Sequence, residues 1–293
     1  MIISIASGKG GTGKTTVATN LCAALGGNIR LLDCDVEEPN AHLFLTPEFT
    51  EKEKVNAPVP EVDESKCTYC KKCMAICRFG AIAVMGRKIV TFPELCHSCS
   101  GCALICPEAA VTEKDRTIGH VETGHPSGNP ETGFVRGLLD IGQVMAPPVI
   151  RQVRTYEIEN GLTLIDAPPG TSCPVISAMK GTDAVVLVTE PTPFGLHDLT
   201  LAVEAVRLLG IPHGLVINRA GMGNDDVRNY ADRENIPVLM EIPFDRRIAA
   251  AYSRGDLLVD ALPEYKDQFI SLYQRIKALA EGTDETCERE TAG

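Results

Sequence analysis

The segment Gly8-Lys9-Gly10-Gly11-Thr12-Gly13-Lys14-Thr15 constrains the fold more than any other stretch of this 293-residue chain. It fits G-x-x-x-x-G-K-[ST] and lies between an apolar run, Met1-Ile2-Ile3-Ser4-Ile5-Ala6, and a predicted helix over 14–25 that stops at Gly26-Gly27. The next apolar run, Ile29-Arg30-Leu31-Leu32-Asp33, reads as a strand, and a parallel return to the first strand requires a right-handed crossover. The glycines let backbone N–H groups converge on phosphate oxygens, and the helix N-terminus adds positive potential. In such a loop Lys14 reaches the β- and γ-phosphates and the Thr15 hydroxyl ligates Mg²⁺. Gly8, Gly10, Gly11, Thr12, Gly13, Lys14, Thr15 and Thr16 are the candidate contacts to ATP or ADP.

Strand and helix alternate again after residue 132. Strands are expected at Leu162–Asp166, Ala184–Thr189, Gly214–Asn218 and Val238–Glu241, and helices near 197–209, 224–235 and 263–280. The run Ala184-Val185-Val186-Leu187-Val188 is continuously apolar, as a central parallel strand buried on both faces must be. The alternation predicts an α/β, doubly wound, mostly parallel sheet.

Eight of the twelve cysteines fall between Cys67 and Cys106. Cys67, Cys70, Cys73 and Cys77 are spaced x2, x2, x3, and Cys96, Cys99, Cys102 and Cys106 repeat that spacing before Pro107. This is the bacterial two-cluster ferredoxin run, twice, in which the fourth cysteine of each run ligates the other cluster. It predicts two 4Fe–4S clusters: cluster I on Cys67, Cys70, Cys73 and Cys106, and cluster II on Cys96, Cys99, Cys102 and Cys77. A pair of zinc sites is the alternative, but zinc motifs use two pairs of ligands rather than two triplets with a distant fourth. Arg78 follows Cys77 where the ferredoxin pattern has proline; it is either a solvated surface cation or a charge that raises the potential of cluster II.

The cysteine block reads as an insertion. Residues 46–63, with Pro47, Pro58 and Pro60 among charged residues, and residues 117–132, with Gly119, Gly124, Pro126, Gly128 and Pro130, read as linkers on either side of it. The expected organisation is a discontinuous nucleotide-binding domain of residues 1–60 and 117–281, a small α+β ferredoxin-like domain of residues 61–116, and a disordered acidic tail of residues 282–293.

A net charge of −11 argues against a nonspecific nucleic-acid or acidic-membrane binder, since both need clustered cations. No apolar run reaches the ~18 residues of a spanning helix. The N-terminus has no charged n-region, so a cytoplasmic chain is expected, in a compartment where clustered cysteines bind metal rather than pair.

Lys9-Gly10-Gly11-Thr12-Gly13-Lys14-Thr15 resembles the deviant Walker A motif of the MinD/ParA/Mrp class of P-loop ATPases, which includes the nitrogenase iron protein. The resemblance implies that Lys9 reaches the nucleotide of a second subunit in an ATP-sandwich homodimer, or a dimer with a related ATPase; otherwise Lys9 is an ordinary cation of the loop. Asp33-Cys34-Asp35 resembles the family's second acidic motif, which makes Asp35 the residue that orients or activates the attacking water, against a plainer role as a helix N-cap. Asp166-Ala167-Pro168-Pro169-Gly170 resembles Walker B and switch II. That places Asp166 near Mg²⁺ and the Gly170 backbone at the γ-phosphate. Asn218-Arg219 resembles the adenine-reading position, and Pro243-Phe244-Asp245 the segment beside the base. Lys9, Lys14, Asp35 and Asp166 are the candidate catalytic residues.

Three functions are compatible with a nucleotide loop and clusters in one chain. The favoured one is an ATP-gated electron carrier with an unidentified redox partner. An iron–sulfur assembly or carrier ATPase of the Mrp branch would use a C-terminal C-x-x-C, and here Cys287 stands alone. A positioning ATPase of the MinD or ParA kind would need a basic membrane helix or a basic DNA surface, and the acidic tail and net charge supply neither. Cys173 lies seven positions past Asp166, where the iron protein has a cluster cysteine. It is either a reactive thiol at a helix N-terminus near Pro174 or a small buried packing residue.

Overall fold

Apolar runs without alternation demand helices on both sides of the sheet, and the chain supplies them in sequence order. The computed structural model describes residues 1–282. The first half runs β1 (Ile2–Ala6), α1 (Lys14–Leu25), β2 (Ile29–Asp33), α2 (His42–Leu45), β3 (Pro47–Val62), α3 (Lys72–Ile76), β4 (Ile82–Met85), β5 (Lys88–Thr91), α4 (Gly101–Leu104), β6 (Val111–Pro126) and β7 (Gly133–Leu139). The second runs α5 (Ala146–Arg154), β8 (Leu162–Asp166), α6 (Cys173–Met179), β9 (Ala184–Thr189), α7 (Pro193–Leu209), β10 (His213–Ala220), α8 (Asp226–Arg233), β11 (Val238–Pro243), α9 (Arg246–Arg254), α10 (Leu258–Ala261) and α11 (Lys266–Glu281).

Nine strands form one sheet in the order β11-β10-β9-β1-β8-β2-β7-β6-β3. The strands from β11 to β7 are parallel; β6 and β3 extend the sheet antiparallel to their neighbours. β9 shows why its run is unbroken. Val185 and Leu187 face a core shared with Val149, Val175, Val203 and Val227 from α5 to α8. Ala184, Val186 and Val188 face another, shared with Leu21 of α1, Leu258 of α10 and Phe269 of α11. Crossovers on both faces leave β1, β2 and β8 ending side by side, so Ser7, Asp33 and Asp166 emerge at one rim.

Both segments expected to be linkers are strands. β3 and β6 pair from Pro47 opposite Pro126 to Val62 opposite Val111. The prolines are tolerated because β3 is an edge strand with one open side. Val55, Ala57 and Val59 alternate inward while Glu51, Lys52, Glu53 and Lys54 stay in solvent, which charges the open edge against further strand addition. Only Gly119–Gly124 of β6 also pairs with β7, so the remainder of the ribbon runs off the sheet as a two-stranded arm. The cysteine-rich lobe sits at its end around a small core of Cys73, Ile82, Val84, Ile89 and Val111. Of the acidic tail only Gly282 is described; Cys287 lies outside the described residues.

Candidate functional site

The glycine loop joins β1 to α1, and its last glycine cannot be replaced without cost. Gly13 is the left-handed N-cap of α1 at φ 98°, and a Cβ there would overlap the Asn218 amide. No side chain caps α1, so the first-turn amides are left for a ligand. Lys14 is buried, with 5% of its surface exposed. The Thr15 hydroxyl donates to Asp166 Oδ2 at 2.6 Å. The other Asp166 oxygen, Oδ1, is buried and has no hydrogen-bond partner. Burial pushes the Asp166 carboxyl up to about 7, against the pull of Lys14 and Thr15. An orphaned carboxylate oxygen beside a threonine hydroxyl suits a hard divalent cation, so these residues fit Mg²⁺.

Asp33 and Asp35 divide the acidic motif between them. Asp33 is buried and accepts from the amides of Asp35 (3.2 Å) and Ala41 (3.1 Å), which turns the chain after β2. Asp35 is half-buried and faces the same cavity as Lys14. Desolvation raises its carboxyl to about 6, with Lys14 opposing and Glu38 and Glu37 adding to the rise. The next helix, α2, has Ala41 as its N-cap, so Asp35 caps no helix.

The cavity at this rim measures about 370 Å³, a size that suits a small-molecule ligand. It is lined by Gly10, Gly11, Gly13, Lys14, Thr15, Thr16, Asp35, Asn218, Arg219, Pro243 and Asp245 from the expected set, and by Pro169 next to the expected Gly170. Gly8, Lys9 and Thr12 shape the loop from outside the lining. Gly8 abuts the Asp198 backbone, the Lys9 carbonyl accepts from Ser7 Oγ at 2.6 Å, and Thr12 O accepts from Asn218 Nδ2 at 2.8 Å. Asn218 is thus committed to the loop itself, with its Oδ1 accepting from the Arg219 amide. Arg219 pairs with Glu190 at 2.9 Å. Asp245 caps α9 through the Arg247 amide and pairs with the Arg247 guanidinium. The Gly170 amide donates to the Ser7 carbonyl at 3.0 Å rather than standing free. Beside Phe244 of the expected Pro243-Phe244-Asp245 segment, sequence reasoning missed the rest of the apolar end of the cavity, where Phe44, Ile248 and Tyr252 gather and the Phe44 and Tyr252 rings lie 5.3 Å apart. These residues come from α2 and α9, and no motif marks them. Cys173 is exposed at the start of α6, which overturns its reading as a buried packing residue.

The cysteine lobe repeats one geometry twice. Cys67, Cys70, Cys73 and Cys106 line one cavity; Cys77, Cys96, Cys99 and Cys102 line another. Backbone amides donate to sulfur at matching offsets: Tyr69 to Cys67 and Ser98 to Cys96, two residues on, and Ala81 to Cys77 and Ala110 to Cys106, four residues on. Positive φ angles repeat as well, at Tyr69 and Lys71 in one run and at Ser98 and Ser100 in the other. None of the eight is in a disulfide. Among the described residues no group of three or more His, Cys, Asp or Glu is arranged around a single metal ion. Four thiols ringing a void, with amides donating to sulfur, meet instead the demand of a cube whose ligands bind separate irons. Arg78 is exposed.

A parallel sheet with a phosphate-binding glycine loop, a buried lysine and an aspartate at the next strand end defines a P-loop nucleotide-binding protein. The family described as the CobQ/CobB/MinD/ParA nucleotide binding domain matches residues 3–259, and the chain belongs to it. The uncharacterized protein MJ0579 of Methanocaldococcus jannaschii is 31% identical over 262 residues, which cover 87% of this chain and 90% of that one. An iron-sulfur cluster carrier protein of Methanococcus maripaludis is 26% identical, over 94% of this chain and 85% of its own. Among solved structures, the septum site-determining protein MinD of Pyrococcus horikoshii, complexed with Mg-ADP, superposes with a TM-score of 0.57 at 24% identity, covering 97% of this chain and 99% of that one. No helix among the described residues is long and apolar enough to cross a membrane.

Proposed function

We propose that the chain is an ATP-binding and ATP-hydrolysing iron–sulfur protein in which nucleotide-driven switching of a dimer is coupled to electron transfer through two 4Fe–4S clusters. Residues 1–60 and 117–281 form the ATPase unit and residues 61–116 the cluster-binding lobe. The observation that carries the cluster half is the crossing of the two cysteine runs: each cavity takes three cysteines from one run and the fourth from the other.

Bound ATP supplies the terminal phosphoryl group that water attacks. The chain's residues position and neutralise. Lys14 and the first-turn amides of α1 hold phosphate oxygens, and Thr15 and Asp166 would hold Mg²⁺, which would neutralise charge on those oxygens. Asp35, poised beside Lys14, holds the attacking water and accepts its proton. Lys9 reaches the nucleotide of the second subunit, and release of the Gly170 amide from Ser7 frees it for the γ-phosphate.

A second reading, an iron–sulfur cluster carrier, is favoured by the names of several relatives, including the Methanococcus maripaludis protein. The two differ in the fate of the iron. Anaerobically reconstituted protein is expected to hold ~8 Fe per chain, give 4Fe–4S signals by EPR on reduction, and keep that iron during incubation with an apo-ferredoxin. Iron that moves stoichiometrically to the acceptor selects the carrier reading. Zinc with no iron rejects both.

A further inference from the structure

We propose that the face of the cysteine lobe around Cys70 docks an acidic one-electron carrier protein, which exchanges electrons with the cluster bound by Cys67, Cys70, Cys73 and Cys106. This inference rests on the cluster reading above and adds the partner's chemistry.

The chain carries −11 overall, yet from Ser65 to Pro93 it has six cations, Lys66, Lys71, Lys72, Arg78, Arg87 and Lys88, and no Asp or Glu. Lys66 is neutralised by Asp63 at 3.1 Å. The other five are exposed. Lys71 and Lys72 stand on the rim of the first cysteine cavity, where Glu108 is the one acidic residue of the lining. Arg87, in the turn after β4, and Lys88, which opens β5, add exposed cations to the same lobe. Cys70 itself is exposed, so a partner can approach one of the ligand sulfurs directly.

The second cavity differs. Its rim carries exposed Ile76 and Phe79, and Phe79 stacks on His97 with ring centroids 3.5 Å apart. The cationic approach belongs to the first. A cationic patch on an acidic protein selects a carboxylate-rich partner, because the rest of the surface repels it and long-range attraction orients it. In the reaction, one electron leaves the reduced carrier and reduces the lobe's cluster by one; no bond forms or breaks and no proton moves.

The test uses the full reconstituted chain and a dithionite-reduced acidic 2[4Fe–4S] ferredoxin, mixed anaerobically in a stopped-flow instrument. The second-order rate is expected to rise as ionic strength falls, and to drop about tenfold at low salt in Lys71→Glu/Lys72→Glu. Iron content and the EPR spectrum of the variant report separately whether the clusters are in place. If the variant does not fold, the salt dependence of the natural protein still decides. Clusters present with a rate indifferent to salt, or to both reversals, overturn the docking face and leave the cluster reading standing. A wild-type chain that holds no cluster overturns both. Salt-sensitive self-association lost in the variant, with unchanged rates toward ferredoxin, gives the face to a second copy and overturns the proposal.

Discussion

At the residue scale, Asn218 has the role least like the one its position suggests. Family resemblance makes it a reader of adenine, but its amide donates to the Thr12 carbonyl and packs against Gly13. It braces the loop that grips phosphate. Removing one such hydrogen bond costs about 0.5–1.5 kcal/mol, which is at most about tenfold in affinity. Asn218→Ala is therefore expected to weaken ATP and GTP alike by several-fold, with their ratio unchanged in calorimetric titration; a collapsed preference for adenine would make it a base reader after all. Asp35 calls for a different outcome. It faces the cavity but neither holds the loop nor contacts Asp166 through a hydrogen bond. Asp35→Ala is expected to bind ATP normally and to hydrolyse it ~10²–10⁴-fold more slowly, read as phosphate release. The glycine loop and the cysteine runs announce themselves because their chemistry needs fixed spacings. Asn218 and the Phe44–Tyr252 end of the cavity do not, because a strand end or a short helix reveals nothing about which distant carbonyl or ring it will meet.

At the scale of elements, the ribbon of β3 and β6 changes how the lobe is attached. Its prolines, glycines and charges read as linker, and the strand period is carried only by Val55, Ala57 and Val59, which the structure buries in alternation. That pattern is short, and the partner that makes it a strand lies more than fifty residues away, beyond the cysteine block. By contrast α1 begins and ends as expected, because its start and stop signals are local. The consequence is mechanical. Paired strands transmit displacement along their length, whereas a flexible tether absorbs it. Hydrogen exchange can tell them apart: amides of 56–62 and 111–117 that bond across the ribbon are expected to be protected for minutes or longer, while true linkers would exchange within seconds. Exchange at linker rates in those segments would return the lobe to a tethered role.

At the scale of the whole molecule, the two sites are joined through β2. Asp33 ends that strand and Asp35 follows it, the chain passes through α2 into β3, and β3 carries the lobe. Phe44 of α2 lines the nucleotide cavity as well, so the path from nucleotide to lobe is one continuous, structured segment. A change at Asp35 or Phe44 that shifts α2 must be taken up by β3, which is held along its length by β6. Coupling of this kind is reciprocal: whatever nucleotide does to the reduction free energy, reduction does to nucleotide affinity. If the reduced protein binds ATP tenfold more tightly than the oxidised one, ATP must raise the midpoint potential by ~59 mV for a one-electron step. The expected outcome is a potential in spectroelectrochemical titration that moves between the nucleotide-free and ATP-bound states, with a matching ratio of ATP dissociation constants measured on the reduced and oxidised protein. Identical potentials in both states, together with identical ATP affinities, would mean that the ribbon carries the lobe without carrying any signal, and that the ATPase and the clusters work independently on one chain.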